Sequence, residues 1–303
     1  MRQSFGITGL VQALLALGAA LGLGAVGLAD RAAAAGDEAV HIERQPWSFA
    51  GMRGKFDREQ LQRGFQVYQD VCAACHGLKR VYFRNLAEPG GPEFNVEAVK
   101  GLAASWPNQI FDGPNDAGDI ATRKGAIIKR PARLSDPILG PYDNDKQARA
   151  AQNGALPPDL SIITKARGVE VHGGFAAHVG SMLRDVANGY QEGGADYLYA
   201  LLTGYTNKPA DFKLADGMNY NVAFPGHQIA MIPPLSQGRV KYQNKDVPQT
   251  VEQYAKDVTA FLSWAADPRL EERKSMGWVV MLYLLVTAVL LYFAKRRLWA
   301  DVH

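Results

Sequence analysis

The run VCAACHGLKR, residues 71–80, holds both cysteines of the chain, Cys72 and Cys75, with His76 directly after the second. Four chemistries use thiols at this spacing. A disulfide would close so small a loop that it would constrain the unfolded chain little. A thioredoxin-like pair expects its first cysteine at a helix N-terminus in a βαβ setting. Here the cysteines instead follow a helical pattern: Leu61, Phe65, Tyr68 and Cys72 share one face behind a capping box at Asp57 and Gln60. A structural zinc needs four ligands. With no second cysteine pair, that leaves histidines such as His172 and His178, which lie in a glycine-rich stretch without ligand spacing. The fourth chemistry is covalent haem, for which C-x-x-C-H is the attachment signature. Two thiols on one turn meet neighbouring substituents of the porphyrin, and the next side chain passes beneath the iron. The spacing predicts haem c on Cys72 and Cys75, with His76 as a ligand to the metal.

A haem that transfers electrons needs a sixth ligand, because an open iron binds oxygen and does other chemistry. Between the two long apolar stretches at the chain's ends, the methionines are Met52, Met182, Met218 and Met231, and the remaining histidines are His41, His172, His178 and His227. Met231 lies in FPGHQIAMIPPL, where Pro225, Pro233 and Pro234 fix backbone dihedrals and stiffen a loop that could hold a thioether at the iron. It could equally plug an irregular gap in the core, and a bis-histidine site through His227 is the rival. Methionine–histidine ligation raises the reduction potential, which suits a late, oxidising position in an electron-transfer chain.

The rest of the chain must export and position these residues. Hydrophobic residues make up 47% of it and charged residues 21%, values of a folded protein with a core and one large or two modest domains. Residues 1–35 place Arg2 before an uncharged run from Phe5 to Ala29, then small residues that offer cleavage at Ala33 or Ala35. This is the pattern of a signal peptide, and left uncleaved as an anchor it would export the following residues all the same. Residues 276–294 carry no formal charge, and at about 1.5 Å per residue they cross roughly 28 Å of hydrocarbon as a transmembrane helix. Trp278, Tyr283, Tyr292 and Trp299 suit interfacial anchoring. Lys and Arg flank both ends of this span, so orientation is set by the signal: residues 36–275 outside, the tail 295–303 in the cytoplasm. The exported part holds 28 Lys+Arg and 28 Asp+Glu, a balance that gives no reason to invoke nucleic acid. Within it, Thr250 and Gln253 open a second helix whose stripe of Val251, Tyr254, Val258, Phe261, Leu262 and Ala265 should pack near the Leu61 helix before Asp267-Pro268 stops it. Pro/Gly-rich connections between 85 and 160 suggest that a haem supplies much of the core.

With these residues in hand, the chain resembles the cytochrome c1 family, the haem subunits of cytochrome bc1 complexes (ubiquinol:cytochrome c oxidoreductase). Besides the haem motif, the likeness runs through RPARLSDPILGPYDND (130–145), AQNGALPPDLS (151–161), ADYLYALLTGY (195–205), FPGHQIAMIPPL (224–235) and a single C-terminal span followed by KRRLW. The resemblance implies a mainly α c-type cytochrome domain with long loops and little strand, plus one transmembrane helix. It implies His76 and Met231 as axial ligands and Arg167 as the partner of a haem propionate, for which a guanidinium is well shaped. It also gives ALPPDL a use, since a stiff Pro157-Pro158 turn could offer a carbonyl, that of Pro158, to the other ring nitrogen of His76. The implied role is a one-electron relay from the Rieske iron–sulfur protein to a soluble c-type cytochrome, in a dimeric complex with cytochrome b in a bacterial inner membrane. The haem domain would face the periplasm, and no acid or base residues of the chain's own would be needed. Residues 168–194 look like an insertion loop on the surface. Asp112, Asp116 and Asp119, against Arg123, Lys124, Lys129, Arg130 and Arg133, could steer a partner. An open-haem enzyme of peroxidase type and a haem-free thiol exchanger are the alternatives from other classes.

Overall fold

The computed structural model describes residues 42–113, 128–167, 174–187 and 193–300. The proposed signal peptide, His41, His172, and Asp116, Asp119, Arg123 and Lys124 of the charge cluster lie outside them. In chain order the helices are α1 (Arg58–Asp70), α2 (Val96–Ser105), α3 (Asp145–Ala151), α4 (Ile163–Ala166), α5 (Phe175–Ala187), α6 (Gly193–Thr203), α7 (Val251–Ala266) and α8 (Leu270–Leu298). The strands are short: β1 (Leu78–Tyr82), β2 (Ile110–Phe111), β3 (Lys129–Arg130), β4 (Pro137–Ile138), β5 (Asn219–Tyr220) and β6 (Gln228–Ile229). They pair antiparallel as β1 with β4, β2 with β3 and β5 with β6. The fold is helix-rich with little strand and one long apolar C-terminal helix, as expected from the sequence.

The core is organised by the crossing of α1 and α7. The Asp57 carboxylate caps α1 by accepting the Gln60 amide at 3.2 Å, and the Thr250 hydroxyl caps α7 by accepting the Gln253 amide at 3.3 Å. The other half of each expected capping box goes elsewhere. Both glutamine side chains donate to the carboxylate of Asp257, Gln60 across the crossing at 3.2 Å and Gln253 from one turn earlier on α7 itself at 2.9 Å. Asp257 is fully buried and also accepts from Arg63 Nε at 3.0 Å and from the Tyr242 hydroxyl at 2.9 Å. A buried carboxylate left alone would cost several kcal/mol, and a full set of donors from both helices offsets that cost. Burial works against the Arg63 cation, yet its bond to Asp257 raises its pKa overall; burial and the same carboxylate drive the Tyr242 hydroxyl up.

The helices touch backbone to backbone at Gly64, where a Cβ would fall 2.1 Å from the Asp257 carbonyl oxygen and 2.7 Å from Phe261 Cβ. Around that point Phe65 and Tyr68 of α1 lie against Phe261, with ring centroids 5.5 and 5.9 Å apart. The predicted stripe on α7 proves too narrow. From Tyr254 to Ala265 all but Lys256 are buried, because α4 and α6 pack on the sides that α1 leaves. Tyr68, Phe83, Tyr254, Phe261 and Trp264 are among the fully buried side chains, so the protein builds a core of its own.

Two stretches read as loops contain helices. Within 85–160, Asn95 accepts the amides of Glu97 and Ala98 at 2.9 and 3.3 Å to start α2, and Asn144 accepts that of Gln147 at 3.0 Å to start α3. Asparagine caps of this kind are local signals that the Pro and Gly content masked. Within 168–194, α5 places Phe175, Val179, Met182 and Leu183 at helical spacing, and Phe175, Met182 and Leu183 are exposed.

α8 begins three residues past the Asp267 cap of α7, and its first turns are held by the domain. Arg58 pairs with Glu271 through two hydrogen bonds of 2.8 and 3.0 Å, and Glu271 also accepts the Phe56 amide at 2.9 Å. Beyond them the helix is long and apolar enough to cross a membrane, and none of its residues is buried.

This packing can be tested at two positions. Gly64→Ala forces the α1–α7 backbones apart and should lower stability by about 2–3 kcal/mol; a denaturant midpoint equal to the parent's contradicts the close approach. Asp136, just before β4, accepts from Arg130 at 3.0 Å and from the Arg133 amide at 2.7 Å. The Arg130 bonds hold its carboxyl below the ordinary carboxylate range against the opposing effect of burial. A depressed carboxylate contributes its stability above its unfolded pKa and loses it as pH falls through the lower folded value. Asp136→Asn should therefore cost about 1 kcal/mol at pH 7. The gap between variant and parent should close below about pH 4, and a gap that stays constant to about pH 2 contradicts this role.

Candidate haem site

The last turn of α1 passes directly into a 3-10 turn, Cys72–Ala74, in which the amides of Cys75 and His76 both donate to the Cys72 carbonyl, at 3.1 and 2.9 Å. That tight turn puts both thiols and the imidazole on consecutive faces of one short segment. The buried Tyr68, one turn before Cys72, donates its hydroxyl to the His76 carbonyl at 3.1 Å and fixes where the segment ends.

From His76 onward the chain is stitched to residues 159–161 and to the segment just after β4. A Cβ on Gly77 would lie 2.6 Å from the amide nitrogen of Gly140, so two backbones meet where side chains would collide. The Gly77 carbonyl accepts the Leu160 amide at 2.9 Å. Asp159 accepts the amides of Lys79 and Ser161 at 2.8 and 3.0 Å, and the Ser161 hydroxyl accepts the Arg80 amide at 3.0 Å. This stitching sets the Pro158 carbonyl oxygen 2.7 Å from His76 Nδ1. Nδ1 must then carry the proton, and Nε2 keeps its lone pair. Burial lowers the pKa of His76, opposed by Pro158 and Asp159, which favours the neutral imidazole that metals bind.

Both cysteines are free and partly exposed. Burial, with the second thiol beside it, pushes the Cys72 thiol up to about 12. A thiol that stays protonated at neutral pH is a poor exchanger of disulfides. The Gln152 amide donates to Cys75 Sγ at 3.5 Å and reaches the Tyr142 hydroxyl at 2.6 Å.

Met231 comes just after β6. Its carbonyl accepts from the Tyr205 hydroxyl at 3.1 Å and from Asn219 Nδ2 at 3.3 Å, and its side chain is partly buried against the core. Met52, Met182, Met218, Met276 and Met281 are exposed, so among the described methionines Met231 alone joins the core. His227 is tied into its own hairpin: its Nδ1 lies 3.2 Å from the Asn221 carbonyl oxygen and its ring is tilted against Tyr220 with centroids 5.6 Å apart. Arg167 caps the C-terminus of α4, exposed, and among the described residues its side chain has no hydrogen-bond or ion-pair partner.

The donors present suit one kind of metal. Among the described residues no group of three His, Cys, Asp or Glu side chains could hold a bare ion, so these residues form no structural zinc site. Two free thiols, an imidazole with Nε2 open and a core-packed thioether fit an iron that arrives with four porphyrin nitrogens of its own. Sequence reasoning missed the roles of Tyr68, Gln152, Asp159 and Ser161, which act on backbone or at a distance. Asp159, placed just after two prolines, was the most legible of them as a turn-forming acceptor.

Comparison with known proteins bears on the family to which the chain belongs. The signature of the Cytochrome C1 family matches residues 47–302. A cytochrome c1 from Blastochloris viridis is 45% identical over 271 residues, which cover 89% of this chain and 90% of that protein. Another from Rhodospirillum rubrum is 38% identical over 307 residues, covering 96% and 97%. A cytochrome b/c1 from Bradyrhizobium diazoefficiens is 47% identical over 258 residues, 85% of this chain, and the chain spans 35% of that longer protein. With the family signature and these relatives extending over most of its length, the chain belongs to the cytochrome c1 family.

Proposed function

We propose that this chain relays single electrons on the outer face of a bacterial inner membrane, from a Rieske iron–sulfur protein to a soluble c-type cytochrome, through one haem c. It does so inside a dimeric bc1 complex that also contains cytochrome b. Its membership of the cytochrome c1 family makes it a haem-containing electron carrier of that complex, and the ubiquinol:cytochrome c oxidoreductase activity is the assembly's. The observation that carries the reading is the His76 ring, turned by the Pro158 carbonyl at 2.7 Å so that Nε2 is left for a metal, immediately after two free thiols.

Cys72 and Cys75 would hold the porphyrin by thioether bonds, and His76 Nε2 and Met231 Sδ would be the chain's ligands to the iron. The haem supplies reversible one-electron chemistry at its iron. The chain's residues supply position and environment. Pro158 accepts the Nδ1 proton and fixes the plane of the imidazole. Tyr205 and Asn219 grip the Met231 carbonyl, and Pro233 and Pro234 stiffen the chain just beyond it, so the backbone that carries the thioether is held in place. Arg167, with its guanidinium unclaimed among the described residues, is available to pair bidentately with a propionate. No side chain need act as acid, base or nucleophile.

The signal peptide, residues 1–35, exports residues 36–275 to the periplasm. The helix over residues 276–294 anchors them, leaving residues 295–303 in the cytoplasm.

Met231→Leu tests the ligand pair. The variant should keep its covalent haem, lower its midpoint potential by on the order of 100 mV, and bind carbon monoxide when reduced. A variant with the parent's potential that excludes carbon monoxide contradicts Met231 as the sixth ligand.

A further inference from the structure

The first turns of α8 hold a second piece of the chain at the level where the helix leaves its charged segment. Lys274 Nζ donates to the carbonyls of Phe49 and Gly51, at 2.6 Å each. Lys274 is the last cation before the uncharged run that starts at Met276, two residues or about 3 Å further along the axis. Helical side chains lean toward the N-terminus, so this amine and the carbonyls it grips lie just on the domain side of the first residues of the apolar span. The turn after Gly51 is thereby fixed beside the point where α8 would enter a bilayer.

That turn is rigid. Gly51 has a φ of 74°, a left-handed backbone that favours glycine. A Cβ on Gly54 would fall 1.9 Å from the Ala50 carbonyl oxygen, and the Lys55 amide closes the turn onto the Ser48 carbonyl at 3.1 Å. The buried rings of Trp47, Phe49 and Phe56 pack in series next to it in sequence, the first pair stacked and the second tilted, with centroids 5.4 and 4.9 Å apart. The turn presents an apolar and cationic surface: Met52 is 55% exposed, and Arg53 and Lys55 are exposed beside it. From Gln45 to Phe56 the sequence has no Asp or Glu. Lys55 is among the cations that hold Glu271 below the ordinary carboxylate range, and that carboxylate is bonded to Arg58 and the Phe56 amide.

We propose that residues 50–55 form a second membrane contact, a foot that rests on the bilayer surface beside the anchor, with Met52 among the upper acyl chains and Arg53 and Lys55 on the phosphates of anionic phospholipids. The foot rests on α8 spanning the membrane. An apolar tip with flanking cations binds such a surface by burying apolar area and by attraction to its negative potential. With the foot down, the tilt of the haem domain is fixed at two points, by the helix and by the turn.

The test is photo-crosslinking of the full chain in its own membranes, with a benzophenone amino acid replacing Met52 and, separately, Leu290 of α8. The probe at 52 should yield phospholipid adducts enriched in anionic lipid. In the R53Q/K55Q background that yield should fall at least about threefold, given that each cation near a charged surface is worth roughly fivefold in binding. A protein adduct at 52 means that another subunit covers the turn and overturns the proposal, as does the absence of any adduct. An anionic-lipid yield unchanged by R53Q/K55Q overturns the role of the phosphates. The probe at 290 separates the premises: lipid adducts there with none at 52 sink only the foot, whereas none at 290 sinks the membrane span along with it.

Discussion

The backbone contact between α1 and α7 at Gly64 is the constraint on which the rest of this structure depends. Apolar packing alone would tolerate a slip between two helices. The donors on Asp257 would not, because Gln60 and Arg63 from α1, Gln253 from α7 and Tyr242 from the preceding loop converge on one buried carboxylate. Such a group adds little net stability over an apolar substitute of the same shape. Its directional bonds define register here: Gly64 faces the Asp257 carbonyl, and two turns later Cys72 emerges at a fixed place beside the core.

From that point the site is assembled mainly by backbone groups. Tyr68 holds the His76 carbonyl, Gly77 meets Gly140, and Asp159 and Ser161 draw residues 158–161 along β1 until the Pro158 carbonyl faces the imidazole. The Met231 loop is fixed in the same manner, by a tyrosine and an asparagine on its carbonyl. A cofactor whose ligands must stay in place through repeated oxidation and reduction is well served by supports of this type, which resist displacement.

The parts legible in the sequence are those whose signal is local. Cys72, Cys75 and His76 announce themselves by spacing; Leu61, Phe65 and Tyr68 by helical period; the run from Met276 by length and lack of charge. Met231 stood out through its prolines, although nothing local chose between it and His227. The features that stayed hidden depend on partners distant in sequence. Asp257 reads as an ordinary polar residue until four donors are found around it, and Gln60 and Gln253, each correctly placed for a capping box, leave it for that same carboxylate. The helices α2 and α3 were obscured differently: their asparagine caps were present, but proline and glycine nearby dominated the reading. In α5 the helical repeat of Phe175, Val179 and Met182 was outweighed by the surrounding glycines.

The account turns on what is bonded to the two thiols, and the mass of one peptide decides it. Tryptic cleavage after Arg63 and Lys79 releases residues 64–79, which contain Cys72, Cys75 and His76. From chain matured in its native membranes, this peptide should carry the full mass of one haem, bonded through both sulfurs and resistant to acid acetone. Recovery of the same peptide at its unmodified mass, with both thiols open to alkylation, would contradict the account at its root.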